Sequence, residues 1–231
     1  MSNQPEQSSI ASRLAEVHEN IRSAAMAAER PEDAAELVAV SKTFPAEVIR
    51  EALDAGQRVF GENRLQDAEG KWPDLREEYP DVELHMIGSI QTRKAKAIVG
   101  LFDVIQTVDR EKLARALKKA MDESGHCPAC YIQVNTGSEA QKGGVEPREA
   151  DAFIQLCRDE IGLDVVGLMA IPPADQEPAP HFALLKKIAD RNGLQKLSMG
   201  MSADYELAVR FGATSVRVGS AIFGARTPVA G

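Results

Sequence analysis

The sequence predicts an α/β fold, a (β/α)8 TIM barrel with an extra N-terminal helix. Three observations carry this. Short apolar runs alternate with helical patterns eight times along the chain. No stretch between them is large enough for another domain. No glycine-rich dinucleotide fingerprint follows the first strand, as the doubly wound alternative would ask. With 231 residues, 44% of them apolar and 27% charged, residues 1–231 read as one large domain.

The elements follow in order. Ser8–Glu29 is an amphipathic helix, because Ile10, Leu14, Val17 and Ile21 recur on one face of a 3.6-residue period. Leu37–Lys42 is the first strand, followed by a helix from Pro45 to Ala55 that Gly56 stops. Arg58–Glu62 is the second, and a polar helix interrupted at Pro73 leads to Tyr79. Glu83–Ile87 precedes a helix over Gln91–Val99, and Asp103–Thr107 precedes one capped by Asp109 and running through Met121. Tyr131–Asn135 is the fifth strand, trailed by a polar Gly137–Gly144 loop and a Glu149–Glu160 helix. Leu163–Met169, Leu194–Ser198 and Thr214–Val218 complete the set, with helices at His181–Arg191 and Ser202–Phe211 between them.

Composition removes several classes of function. Lys and Arg total 27 against 35 Asp and Glu, a net charge of −8, which argues against general nucleic-acid or anionic-membrane binding. No apolar run approaches the roughly 20 residues of a membrane span. The first residues lack the charged and apolar regions of a signal peptide, so a cytoplasmic location is expected. Cys127, Cys130 and Cys157 make no disulfide framework. The Cys127–Cys130 pair beside His126 stands alone and precedes a strand, so it reads as surface thiols in a loop and not as a metal or redox site.

In such a barrel the chemistry belongs at the C-terminal ends of the strands, with a phosphate site in the loops after the seventh and eighth. Strand seven runs into Ser198-Met199-Gly200-Met201-Ser202, and strand eight into Gly219-Ser220. Small residues, hydroxyls and backbone N–H groups at two adjacent junctions suit a phosphate dianion. Alternation along the first strand puts Val38, Val40 and Lys42 on one face. Taken alone, Lys42 is a rim lysine whose ammonium reaches water. Facing a phosphate across the barrel mouth, it is a candidate Schiff-base former. Arg217 shares the inward face of strand eight with Ser215 and needs a partner, either a structural carboxylate or a ligand acceptor. Asn63 and Asn135 read equally as orienters or as turn formers. His85 reads as a satisfied rim histidine.

These segments resemble a known family. Val40-Ser41-Lys42-Thr43, Phe60-Gly61-Glu62-Asn63, His85-Met86-Ile87-Gly88, Gln133-Val134-Asn135 and Gly167-Leu168-Met169 are similar to segments of pyridoxal phosphate homeostasis proteins. So are Leu197 to Asp204 (LSMGMSAD) and Val216 to Gly224 (VRVGSAIFG), the two most specific motifs. The resemblance spans residues 8–226. It implies a fold-type III barrel, like the N-terminal domain of alanine racemase, that binds pyridoxal 5′-phosphate (PLP). By the same resemblance Lys42 forms the Schiff base, and Ser202, Gly219 and Ser220 hold the phosphate. Arg217 faces the pyridine nitrogen, while Asn63, Ser198 and Met201 line the pocket. Ile90 and Arg93 depart from the family's usual leucine and asparagine.

An arginine stays protonated and keeps the ring nitrogen opposite it unprotonated, which makes a weaker electron sink than a pyridinium. Two-base racemisation also asks for a second acid/base, supplied in alanine racemase by a tyrosine from another domain. Here the sequence stops soon after the barrel, and Tyr79, Tyr131 and Tyr205 fall in a loop, a strand start and a helix. The expected function is therefore a monomeric PLP homeostasis and cofactor-supply protein without robust turnover, with apo PLP-dependent enzymes as partners. The alternatives are a PLP-dependent, racemase-like enzyme and a Schiff-base aldolase acting on a sugar phosphate.

Overall fold

The computed structural model describes residues 9–139 and 141–224. Eight parallel strands close into a barrel in sequence order. They are β1 (Glu36–Val40), β2 (Val59–Glu62), β3 (Glu83–Met86), β4 (Val104–Val108), β5 (Ala129–Gln133), β6 (Val165–Met169), β7 (Lys196–Ser198) and β8 (Ser215–Val218). Closure comes from β8 pairing with β1, where Leu37 lies opposite Val216 and Val38 opposite Arg217. Around the sheet run α1 (Ile10–Ala27), α2 (Ala46–Asp54), α3 (Leu65–Glu69), α4 (Trp72–Glu78) and α5 (Ala95–Leu101). They are followed by α6 (Glu111–Ser124), α7 (Ala150–Gln155), α8 (Pro178–Arg191), α9 (Tyr205–Arg210) and α10 (Ser220–Phe223). Among the described residues no helix is long and apolar enough to cross a membrane.

Alternation sorts the strand residues into two layers. Leu37, Ala39, Phe60, Leu84, Ile105 and Val216 point outward into the main core against the helices. Each of these side chains larger than Ala39 contributes about 1.5–3 kcal/mol when fully buried. Inside the barrel, Val104, Tyr131 and Met169 form a small apolar cluster of their own. Gly61 also faces inward, since a Cβ there would meet Val38 Cγ1 and Ile87 Cδ1 at 3.0 Å.

The expected Ser8 start of the first helix lies outside the described residues. Ser9 caps α1 by accepting from the Ser12 N–H at 3.1 Å, which is worth about 1 kcal/mol. The buried stripe Ile10, Leu14, Val17 and Ile21 is the one the spacing predicts. This helix lies over the last two units of the barrel. Arg13 Nε donates to the Ile222 carbonyl at 2.5 Å, and Asn20 Nδ2 to the Tyr205 hydroxyl at 3.0 Å.

Several boundaries differ from the sequence reading. β1 stops at Val40, so Lys42 lies past the strand, in a turn. The polar helix is interrupted as expected, but the break falls at Gly70–Lys71 between α3 and α4, and Pro73 sits in the first turn of α4, where no backbone N–H is needed. Asp109 does not cap α6: Arg110 holds the N-cap position, and its guanidinium pairs with the Asp109 carboxylate at 2.5 Å. β5 starts at Ala129, which takes Cys130 into the sheet, fully buried and not at the surface. Burial pushes the Cys130 and Cys157 thiols up to about 12, while Cys127 is exposed.

Candidate functional site

Lys42 sits at the corner of a four-residue turn. The Phe44 N–H donates to the Ser41 carbonyl at 3.2 Å, and Thr43 takes a φ of 67°, a region that side-chain-bearing residues seldom adopt. Such a corner holds only if its surroundings fix it. Lys71, at the start of α4, donates to the carbonyls of Ser41 (3.0 Å) and Phe44 (3.2 Å) and so brackets the turn. Its ammonium also pairs with Glu62 at 2.7 Å, the two side chains being 9% and 0% exposed. The same Glu62 oxygen accepts from Ser41 Oγ at 2.6 Å and Trp72 Nε1 at 3.0 Å. A buried ion pair with additional hydrogen bonds thus clamps the lysine-bearing turn onto the end of β2.

The junctions after β7 and β8 meet across from this turn. Ser202 Oγ accepts from the Gly219 N–H at 3.3 Å and ties the two loops together. The Met201 N–H donates to Asp204 Oδ1 at 2.6 Å, and Gly200 has φ 92°, where an added Cβ would meet Ala208 Cβ at 2.5 Å. Only glycine turns the chain there without strain.

Between them lies a cavity of about 370 Å³, inside the range of about 300–1,000 Å³ of small-molecule sites. Seven of the eight sequence-derived site residues line it: Lys42, Asn63, Met201, Ser202, Gly219, Ser220 and Arg217. Ser198 is fully buried beneath Arg217 and is not part of the lining. Val40, Phe44, Ile87 and Ile171 supply apolar wall. A second cavity of about 400 Å³ lies on the far side of Asn63, beside Arg64, Gln91 and Lys94, and brings no such grouping together.

Arg217 is 4% exposed. Its Nη1 donates to Ser198 Oγ at 2.5 Å and its Nη2 to the Ala170 carbonyl at 2.9 Å, both neutral acceptors. No carboxylate pairs with it among the described residues, and burial lowers its pKa to about 10. A buried cation at a cavity wall, without an anionic partner, keeps donors for a ligand acceptor. With an amine at one wall and hydroxyl and amide donors at another, the lining fits an aromatic aldehyde that carries a phosphate. Asn135 does not reach the cavity, because its amide donates to the Glu139 carbonyl at 2.8 Å and forms a turn.

The sequence profile of the alanine racemase N-terminal domain matches residues 12–227. A pyridoxal phosphate homeostasis protein of Pseudomonas aeruginosa is 43% identical over 224 residues, covering 95% of this chain and 96% of that one. That of Aquifex aeolicus is 39% identical over 223 residues, covering 93% and 97%. This chain belongs to the pyridoxal phosphate homeostasis protein family. A solved member, PipY of Synechococcus elongatus with PLP bound, superposes with a TM-score of 0.80 at 36% identity, covering 93% of this chain and all (100%) of that one. Alanine racemase of Clostridium difficile, at 15% identity and TM-score 0.69, shares the fold over 91% of this chain and 56% of its own.

Two parts of the site went unread in the sequence. Lys71 lies in the polar run between Gln66 and Glu78 and looks like a solvated helix residue, yet it is 9% exposed. Gln106 sits mid-strand in DVIQT with no role assigned, yet it is fully buried and accepts from Ser198 Oγ at 2.6 Å. A signal was there: Gln106, His85 and Ser198 are polar residues at inward positions of strands whose neighbours are apolar.

Proposed function

We propose that this chain binds PLP in the 370 Å³ cavity, holds it through Lys42, and serves PLP homeostasis by supplying cofactor to apo PLP-dependent enzymes. When bound, the cofactor supplies an aldehyde that condenses reversibly with a lysine amine and releases water. Lys42 provides the amine, held in place by the turn that Lys71 and Glu62 clamp. Ser202 Oγ and the backbones of Gly219 and Ser220 hold the phosphate. Arg217 offers an N–H to the ring nitrogen, and Met201 and Asn63 flank the ring. Residues 1–231 act as one monomeric, cytoplasmic unit.

The observation that carries a holding role over turnover is the composition of the lining. Among the described residues, Lys42 and Arg217 are its only titratable side chains. Proton transfer on both faces of a substrate needs two positioned acid/base groups, and an arginine that stays charged is a poor second one. Tyr131 is buried within the barrel, and burial pushes its phenol up. Tyr205 is engaged with Asn20 outside the cavity.

The test is direct. Apo-protein mixed with PLP should develop a visible absorbance band that Lys42→Ala abolishes, and the loaded protein should reactivate an apo PLP enzyme. Absence of the band, or rapid racemisation of L- or D-amino acids by the loaded wild type, overturns the reading.

A further inference from the structure

The interior of a barrel of this kind is ordinarily filled by layers of branched apolar side chains. Here it carries an unbroken hydrogen-bonded chain. Arg217 Nη1 donates to Ser198 Oγ at 2.5 Å. Ser198 Oγ donates to Gln106 Oε1 at 2.6 Å. The Gln106 amide nitrogen meets His85 Nδ1 at 2.7 Å, and His85 Nε2 meets Glu83 Oε1 at 2.6 Å. The four inner members, Arg217, Ser198, Gln106 and His85, are 4%, 0%, 0% and 2% exposed. The Ser198–Gln106 bond joins β7 to β4, strands that are not neighbours in the sheet, so it spans the barrel interior.

The direction of every proton in this chain is fixed by its ends. A guanidinium can only donate and an ionised carboxylate can only accept. Ser198 must therefore accept from Arg217 and spend its one proton on the Gln106 oxygen. The Gln106 N–H then faces His85 Nδ1, which must accept, and His85 carries its proton on Nε2 towards Glu83. The hydrogen bond to His85 holds the Glu83 carboxyl below its usual range and so keeps this end an acceptor. Each bond polarises the next in the same sense.

We infer that Glu83, His85, Gln106 and Ser198 are positioning residues for Arg217, a directional chain that fixes which guanidinium donors point down into the barrel and which are left for the ligand's ring nitrogen. The inference rests on the reading of the cavity as a PLP site. No member of the chain other than Arg217 lines the cavity. Without an acceptor at Gln106 the Ser198 hydroxyl is free to turn its proton towards Arg217. The guanidinium then has one downward anchor, the Ala170 carbonyl, and its cavity-facing edge is no longer set.

The test compares two ligands, PLP and its 1-deaza analogue, which has C–H in place of the ring nitrogen. Equilibrium affinities are measured for wild type, Gln106→Leu and Glu83→Ala. Wild type should prefer PLP on the order of tenfold, the scale of one hydrogen bond to a charged group. Gln106→Leu should erase most of that preference while the 1-deaza analogue binds as before. Glu83→Ala, at the half-exposed floor of the barrel, should reduce it part-way. A structural role would weaken both ligands in parallel, and that outcome overturns the inference. So does an unchanged preference in both variants, or in Glu83→Ala alone if Gln106→Leu does not fold. Wild type that binds both ligands equally removes the ring contact and the inference but leaves the cavity reading standing; wild type that binds neither removes both.

Discussion

The site contains two buried cations, and they are held in opposite ways. Lys71 is paired with Glu62 at 2.7 Å and also donates to two carbonyls, so its charge is used up within the protein. Arg217 is as deeply buried, but it rests on a hydroxyl and a carbonyl and lacks a carboxylate partner among the described residues. The first arrangement fixes backbone; the second keeps electrostatic capacity in reserve. Burial without an anion is a standing cost to the apo-protein, and a ligand acceptor offsets it. Stability and binding should therefore separate cleanly between the two residues.

The largest effect is expected at Lys71→Met. It leaves the buried Glu62 carboxylate without its cation and should lower the free energy of unfolding by about 3–5 kcal/mol, read from urea denaturation of the apo-protein. Replacing both partners, Lys71→Met with Glu62→Gln, which keeps an acceptor for Ser41 Oγ and Trp72 Nε1, should recover part of that loss; a double variant as unstable as the single one would mean that the unpaired carboxylate is not what destabilises it. Arg217→Met should do the reverse. Apo stability should change by less than about 1 kcal/mol, because an apolar replacement of similar volume relieves desolvation, while PLP affinity falls on the order of tenfold. A destabilisation as large as that of Lys71→Met would erase the distinction drawn above. Ser202→Ala should be milder still, a severalfold loss of PLP affinity with one hydroxyl gone from the proposed phosphate site, measured by competition with inorganic phosphate.

The smallest effect concerns the thiols. Native protein should be alkylated at Cys127 alone, and at all three cysteines once unfolded, as read by mass spectrometry. The Cys130 thiol is raised to about 12 in the fold against about 8.5 in the unfolded chain. The unfolded state then loses its proton first, so stability falls as pH rises from about 8.5 towards 12. Arg217, lowered to about 10 in the fold, acts in the opposite sense above that pH. Comparing wild type with Cys130→Ala isolates the thiol: the slope should lessen in the variant, and equal slopes would count against a protonated buried Cys130.

What was legible in the sequence is what local pattern controls. Strand alternation gave the inward sense of Arg217 and Val40, and small residues after strands seven and eight marked the two junctions that line the cavity. What was not legible depends on contacts between distant segments. Lys71 is buried because the Ser41–Phe44 turn, some thirty residues earlier, folds over it; in the sequence it is one charge among many. Ser198 was read as pocket lining from its motif, yet β7 places it one layer below, where it reaches the cavity only through Arg217. Lys42 looked like the last residue of a strand because the apolar run conceals the turn, and a positive φ at a threonine leaves no trace in composition.

The pairing of β8 with β1 has a consequence in time. Lys42 is among the early residues to leave the ribosome, whereas Ser202, Gly219 and Ser220 are among the late ones. The cavity is complete only once the last strand has paired with the first. A partly synthesised chain has Lys42 but not the β7 and β8 junctions that face it across the cavity. On the function proposed above, cofactor capture would report that the ring has closed, and a ligand bound across that closing joint would act as its latch.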